Sequence, residues 1–66
     1  MQITVNGRPT EFAGTVADLL EARQGDRRPH GVAVAVGDDV VPRDDWPARS
    51  LREGDTVEIV TAVQGG

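Results

Sequence analysis

Two short segments at opposite ends of the chain, residues 2–5 and 56–61, alternate apolar and polar side chains with a period of two. Each reads as a strand with one face to bury. Ile3 and Val5 share a face in the first; Val57 and Ile59 share one in the second, with Thr56, Glu58 and Val60 opposite. Between them lies one helical pattern of useful length. Thr15 and Asp18 have the spacing of an N-cap with an acidic residue in the first turn, and Gly25 is placed to end the helix in the left-handed conformation. Val16, Leu19, Leu20 and Arg23 fall on one stripe, the arginine through its aliphatic stem. Two apolar strand faces and a single helix to cover them leave little choice: the terminal strands must lie in one sheet beneath that helix.

The remaining segments fit around this frame. Asn6-Gly7 is the dipeptide that best tolerates a two-residue hairpin turn, so residues 8–12 form a second strand. Pro9 has no backbone donor and places that strand at an edge. Residues 25–31 are a charged loop, and 31–36 read Gly-Val-Ala-Val-Ala-Val, a strand with Val32, Val34 and Val36 on one face and Ala33 and Ala35 on the other. Gly37-Asp38 turns the chain into a short strand at 39–41, closed by Pro42. A single helical turn around Trp46 and a turn at Gly54-Asp55 lead to the last strand. The order β-β-α-β-β-β, with the first and last strands parallel and central, predicts an α+β fold of the β-grasp (ubiquitin-like) type: a mixed sheet with one main helix packed on one face. Residues 1–61 are expected to form that domain and 62–66 a flexible tail.

Sixty-six residues allow a thin core, since chains this short bury only about 60% of their unfolded surface. That leaves little room for a walled catalytic cleft and favours a module that other proteins act upon. Eleven acidic residues against seven basic ones give a formal charge of −4, which repels nucleic-acid phosphates and steers the chain toward electropositive protein surfaces. No apolar run approaches the roughly 20 residues of a membrane span, and the N-terminus lacks the pattern of a secretory signal, so a cytoplasmic location away from membranes is expected. Cysteine is absent, which rules out disulfide staples and thiolate metal sites. Any handling of sulfur would have to use a group other than a side-chain thiol.

The last strand runs directly into Ala62-Val63-Gln64-Gly65-Gly66. Five residues can extend roughly 17 Å, so the final carboxylate could enter a partner while the domain stays outside. Glycines without Cβ suit passage through a narrow channel. The α-carboxylate of Gly66 is anionic at neutral pH and can attack the α-phosphorus of ATP. Adenylation removes the negative charge that makes a carboxylate a poor electrophile and installs a leaving group. Sulfur can then attack the acyl carbon, leaving a thiocarboxylate on Gly66. ATP, its metal and the sulfur donor would belong to partners, and no cofactor or metal is expected on this chain itself.

The residues also resemble a known family. Met1-Gln2-Ile3-x-Val5-Asn6-Gly7, Thr15-Val16-Ala17-Asp18-Leu19-Leu20, Val40-Val41-Pro42-Arg43-x-x-Trp46 and the Ala62-Val63-Gln64-Gly65-Gly66 ending are similar to the ThiS sulfur carriers. That resemblance implies adenylation of Gly66 by a ThiF-type, E1-like enzyme, sulfur from cysteine through a desulfurase, and donation of sulfur to the thiazole synthase ThiG in thiamine biosynthesis. Two stretches depart from the pattern, Gly37-Asp38-Asp39 before Val40 and the loop 27–30. A related carrier for molybdopterin synthesis, or a ubiquitin-like protein modifier, shares the fold and the Gly-Gly ending and stands as the alternative. A plain binding module with an inert tail is a third.

Other candidates are weaker. His30 stands alone in a loop and can form neither a catalytic triad nor a metal site by itself. Asp38-Asp39 and Asp44-Asp45 lack the six or more oxygen ligands of a calcium loop and read as solvated turn residues. Ala33, Ala35 and Val60 should form a flat apolar surface on the side of the sheet away from the helix, either a docking patch for the partner or a plain solvent-facing surface.

Overall fold

The structure, a computed structural model, describes residues 1–61. Five strands form one mixed sheet: β1 (Gln2–Val5), β2 (Arg8–Glu11), β3 (Val32–Val36), β4 (Asp39–Val41) and β5 (Thr56–Thr61), in the spatial order β2-β1-β5-β3-β4. β1 and β5 run parallel at the centre, and every other pairing is antiparallel. The β-grasp arrangement is therefore realised, with β2 and its Pro9 at one edge and β4 at the other.

Asn6 at φ 50° and Gly7 at φ 82° both take left-handed backbone, the requirement of a tight hairpin whose twist matches its strands. The β1–β2 register follows, with Val5 opposite Arg8 and Gln2 opposite Glu11. Phe12 lies just past the end of β2, and its N–H still reaches the Met1 carbonyl at 2.9 Å.

The helix α1 (Val16–Gln24) opens on a full capping box. The Thr15 hydroxyl accepts from the Asp18 N–H at 3.2 Å, and the Asp18 carboxylate accepts from the Thr15 N–H at 3.0 Å. Gly14 is required beside it: at φ 146°, a Cβ there would come within 2.9 Å of Asp18 Oδ2. At the other end Gly25, at φ 78°, closes the helix through its N–H to the Glu21 carbonyl. The buried face is Val16, Ala17, Leu19 and Leu20. Arg23, placed on that stripe by periodicity, is exposed instead, and Ala17 takes part in the contact. The buried residues all lie in the first five positions of the helix, and Arg23 falls in its last turn, beyond the part that packs on the core.

Beneath the helix, Ile3, Val5, Val34, Val36, Val41 and Val57 present the covered face of the sheet, and Trp46 and Leu51 complete the core. Each fully buried aliphatic side chain contributes on the order of 2 kcal/mol from removal of apolar surface from water. Trp46 sits in a 3-10 turn at Arg43–Ala48, and its indole N–H donates to the Val41 carbonyl at 2.9 Å, so its only polar atom is satisfied inside the core. The loop after α1 is strapped by ion pairs. Arg27 bridges Asp18 (2.6 Å) and Glu21 (3.0 Å), Arg28 meets Asp44 (2.6 Å), and Arg43 donates to the Arg28 carbonyl (2.7 Å).

Candidate functional site

The candidate site lies at the end of β5, the central strand and the one that leads toward the C-terminus. Its register against β3 runs from Val36↔Val57 to Val32↔Thr61, so β5 is paired on that side along nearly its whole length. Val57 is fully buried and Ile59 partly so, which fixes one face of the strand on the core. The opposite face carries Thr56, Glu58 and Val60 out to solvent.

Ala33, Ala35 and Val60 do lie together on the face away from α1. Ala33 is paired directly with Val60, and Ala35 is flanked by Glu58 on β5 and Val40 on β4. Val60 is 60% exposed, a large apolar side chain with no core role. The sequence reading missed Val40, which is 76% exposed and extends the same apolar surface to the sheet edge. Its signal was weak, because a three-residue strand is too short for alternation to show. The patch is thus Val60 and Ala33 in one row and Val40 and Ala35 in the next, with the Glu58 carboxylate beside them. Ala62, Val63, Gln64, Gly65 and Gly66 lie outside the described residues.

On the other side of β5, the parallel ladder with β1 is short. The Thr4 N–H donates to the Asp55 carbonyl and the Asn6 N–H to the Val57 carbonyl, both at 2.9 Å. Where the main-chain ladder stops, the Asn6 side chain continues it: Oδ1 accepts from the Ile59 N–H at 2.7 Å, and Nδ2 donates to the Ile59 carbonyl at 3.2 Å.

Among the described residues, the other polar side chains singled out in the sequence do not come together in one cluster. His30 is exposed in its loop. Asp38, Asp39 and Asp45 line a groove of about 510 Å³ with Arg49, which pairs with Asp39 at 3.6 Å. Among the described residues there is no cluster of three or more histidine, cysteine, aspartate or glutamate side chains able to hold a metal. No helix among them is long and apolar enough to cross a membrane. The Asp18 carboxyl and the Met1 ammonium are both held away from their ordinary titration range. The Asp18 carboxyl is held low, first by the Thr15 N–H and then by Arg27. The Met1 ammonium is held high by its hydrogen bond to Glu11 at 2.5 Å. Both are far from the end of β5 in role: one caps the helix, the other ties down the start of β1.

The family model for ThiS matches residues 3–66. The chain belongs to the ThiS family. It is 35% identical to the sulfur carrier protein ThiS of Escherichia coli across the full length of both chains. It is also 35% identical to the sulfur carrier protein ThiS of Thermus thermophilus, over 97% of this chain and 98% of that one. Among solved structures, the crystal structure of the thiamine biosynthesis protein ThiS from Geobacter metallireducens superposes with a TM-score of 0.81 at 30% identity, covering all of both chains. A solution structure of a thiamine biosynthesis protein from the same organism gives 0.79 at 30% identity, covering all of this chain and 88% of that one. The ThiS family and the β-grasp architecture thus agree with the element order read from the residues.

Proposed function

We propose that this chain is a sulfur carrier for thiamine biosynthesis, working through the carboxylate of Gly66. The observation that carries the reading is the ThiS match over residues 3–66, which includes the Ala62-Val63-Gln64-Gly65-Gly66 ending. The geometry supports it. β5 is anchored by the core at Val57 and ends at Thr61, five residues before that carboxylate, with the apolar patch alongside its last turn of register.

In this mechanism an oxygen of the Gly66 carboxylate attacks the α-phosphorus of ATP bound to a ThiF-type, E1-like partner, and pyrophosphate leaves. The acyl-adenylate carbonyl is then attacked by the terminal sulfur of a persulfide charged from cysteine by a desulfurase, and AMP leaves. A partner thiol cleaves the resulting acyl disulfide at its S–S bond, so the thiol is oxidised and –COS⁻ stays on Gly66. That sulfur passes to a ThiG-type thiazole synthase. The chain contributes a carbonyl carbon and its delivery, and its partners contribute the catalysis. The patch of Ala33, Ala35 and Val60, enlarged by Val40, is where the adenylating partner docks. The excess of acidic residues steers that encounter toward a basic surface.

Intact-mass measurement after incubation with ATP, an E1-like enzyme and a sulfur source tests the chemistry. The expected product is heavier by the difference between one sulfur and one oxygen, localised to Gly66 by fragmentation. An unchanged mass with a demonstrably active enzyme rejects the carrier reading. Thiazole formation on adding ThiG separates a thiamine carrier from its molybdopterin relatives.

A further inference from the structure

The two bonds from Asn6 to Ile59 do more than decorate a turn. In a regular parallel ladder, the rung after Asn6 N–H to Val57 C=O would run from the Ile59 N–H to the Asn6 main-chain carbonyl. The next would run from the N–H of residue 8 to the Ile59 carbonyl. At Asn6 the backbone goes left-handed, φ 50°, and the chain folds back into β2, so neither rung can form. The carboxamide supplies both, accepting at 2.7 Å and donating at 3.2 Å. It thereby pairs Ile59 on its second side two residues beyond the last β1–β5 backbone pair, Val5↔Val57. Asn-Gly and Asp-Gly both suit this hairpin, as does Gly-Gly, but only a carboxamide has a donor and an acceptor side by side to match a peptide group.

We infer that Asn6 is a positioning residue for the reaction at Gly66, fixing the root and heading of the segment that carries the carboxylate to the adenylating partner. The inference rests on the carrier reading above. Six residues separate Ile59 from Gly66, and a linker of that size delivers its end to a distant phosphorus most often when its root is correctly placed. A loosened root lowers the effective concentration of the carboxylate at that atom. Docking uses Ala33, Ala35 and Val40, which sit on β3 and β4, and Val60, whose neighbour is Ala33; Asn6 touches none of them. Loss of the clamp should therefore appear in kcat and leave KM alone.

The test is Asn6→Gly, which keeps the left-handed backbone and deletes both bonds. It is assayed by pyrophosphate release with the ATP-loaded E1-like enzyme, alongside amide hydrogen exchange of the carrier. The expected result is a kcat lower by about tenfold with KM within about twofold of the parent, together with exchange at the Ile59 amide faster by about tenfold and exchange at Val57 unchanged. Asn6→Asp keeps the acceptor for the Ile59 N–H but loses the donor, and its kcat should lie between the two. If Asn6→Gly does not fold, this second variant carries the test on the same readouts. Faster exchange at Ile59 with an unchanged kcat, or a rise in KM alone, overturns the positioning role. A parent protein that releases no pyrophosphate overturns the carrier reading itself, and that result is visible before any variant is made.

Discussion

The two faces of the sheet are made from the same strands by the same alternation, yet they have opposite compositions. On the covered face Ile3, Val5, Val34, Val36 and Val57 are nearly inaccessible, packed under Leu19 and Leu20. On the open face the same strands carry Thr4, Ala33, Ala35, Thr56, Glu58 and Val60, with Val40 added from β4. Both faces hold apolar groups, but only one set is satisfied within the molecule. A valine at 57 is explained by folding, whereas valines at 40 and 60 are not. Their exposure has no role in the core, and the docking proposed above would account for it.

The sharpest way to break this division is to exchange the penalties. Leu20→Ala, on the covered side, removes a fully buried side chain and should cost about 3 kcal/mol of stability by urea denaturation. Molecules that remain folded should still be adenylated at the parental rate. Val60→Asp, on the open side, should change stability by no more than about 0.5 kcal/mol and weaken binding to the adenylating enzyme about tenfold or more. Affinity equal to the parent would remove the docking role from this face. A large loss of stability would show that Val60 belongs to the core after all.

Much of this division could be read from the sequence, because strand alternation assigns faces before any partner strand is known. Ile3 and Val5 against Val57 and Ile59, and the valines of β3 against its alanines, fell where the period of two put them. The capping box was legible for a similar reason, since Thr15 and Asp18 are local to one turn. What escaped were contacts whose partners are remote or whose elements are short. Asn6 announces a hairpin through Asn-Gly, and nothing local discloses that its carboxamide bonds a residue 53 positions later. Val40 lies in three residues of strand, too few for a pattern. Arg23 followed the helical stripe on paper, but it lies in the last turn of the helix, past the buried residues Val16, Ala17, Leu19 and Leu20, and stays exposed.

The helix that covers one of the two faces offers a finer test, because its N-terminus is held by a reciprocal pair whose members can be removed singly. Thr15→Ala deletes the hydroxyl that accepts the Asp18 N–H and should cost about 1 kcal/mol, less than the core substitution and with no change in docking. Asp18→Asn probes the other half through its pH dependence. The Asp18 carboxyl is held below the usual aspartate range, chiefly by the Thr15 N–H and next by Arg27. Its folded value is thus lower than its unfolded one, so the stability it confers is fully present above the unfolded value and drains away as pH falls through the folded one. The parent should be more stable than Asp18→Asn at neutral pH, and the gap should close progressively on acidification as the parent carboxyl takes up its proton. Urea midpoints measured across the acid range would follow this directly. A gap that stays constant with pH would mean that Asp18 acts by shape and hydrogen bonding alone, and that the charge at this helix end contributes nothing to keeping the covered face covered.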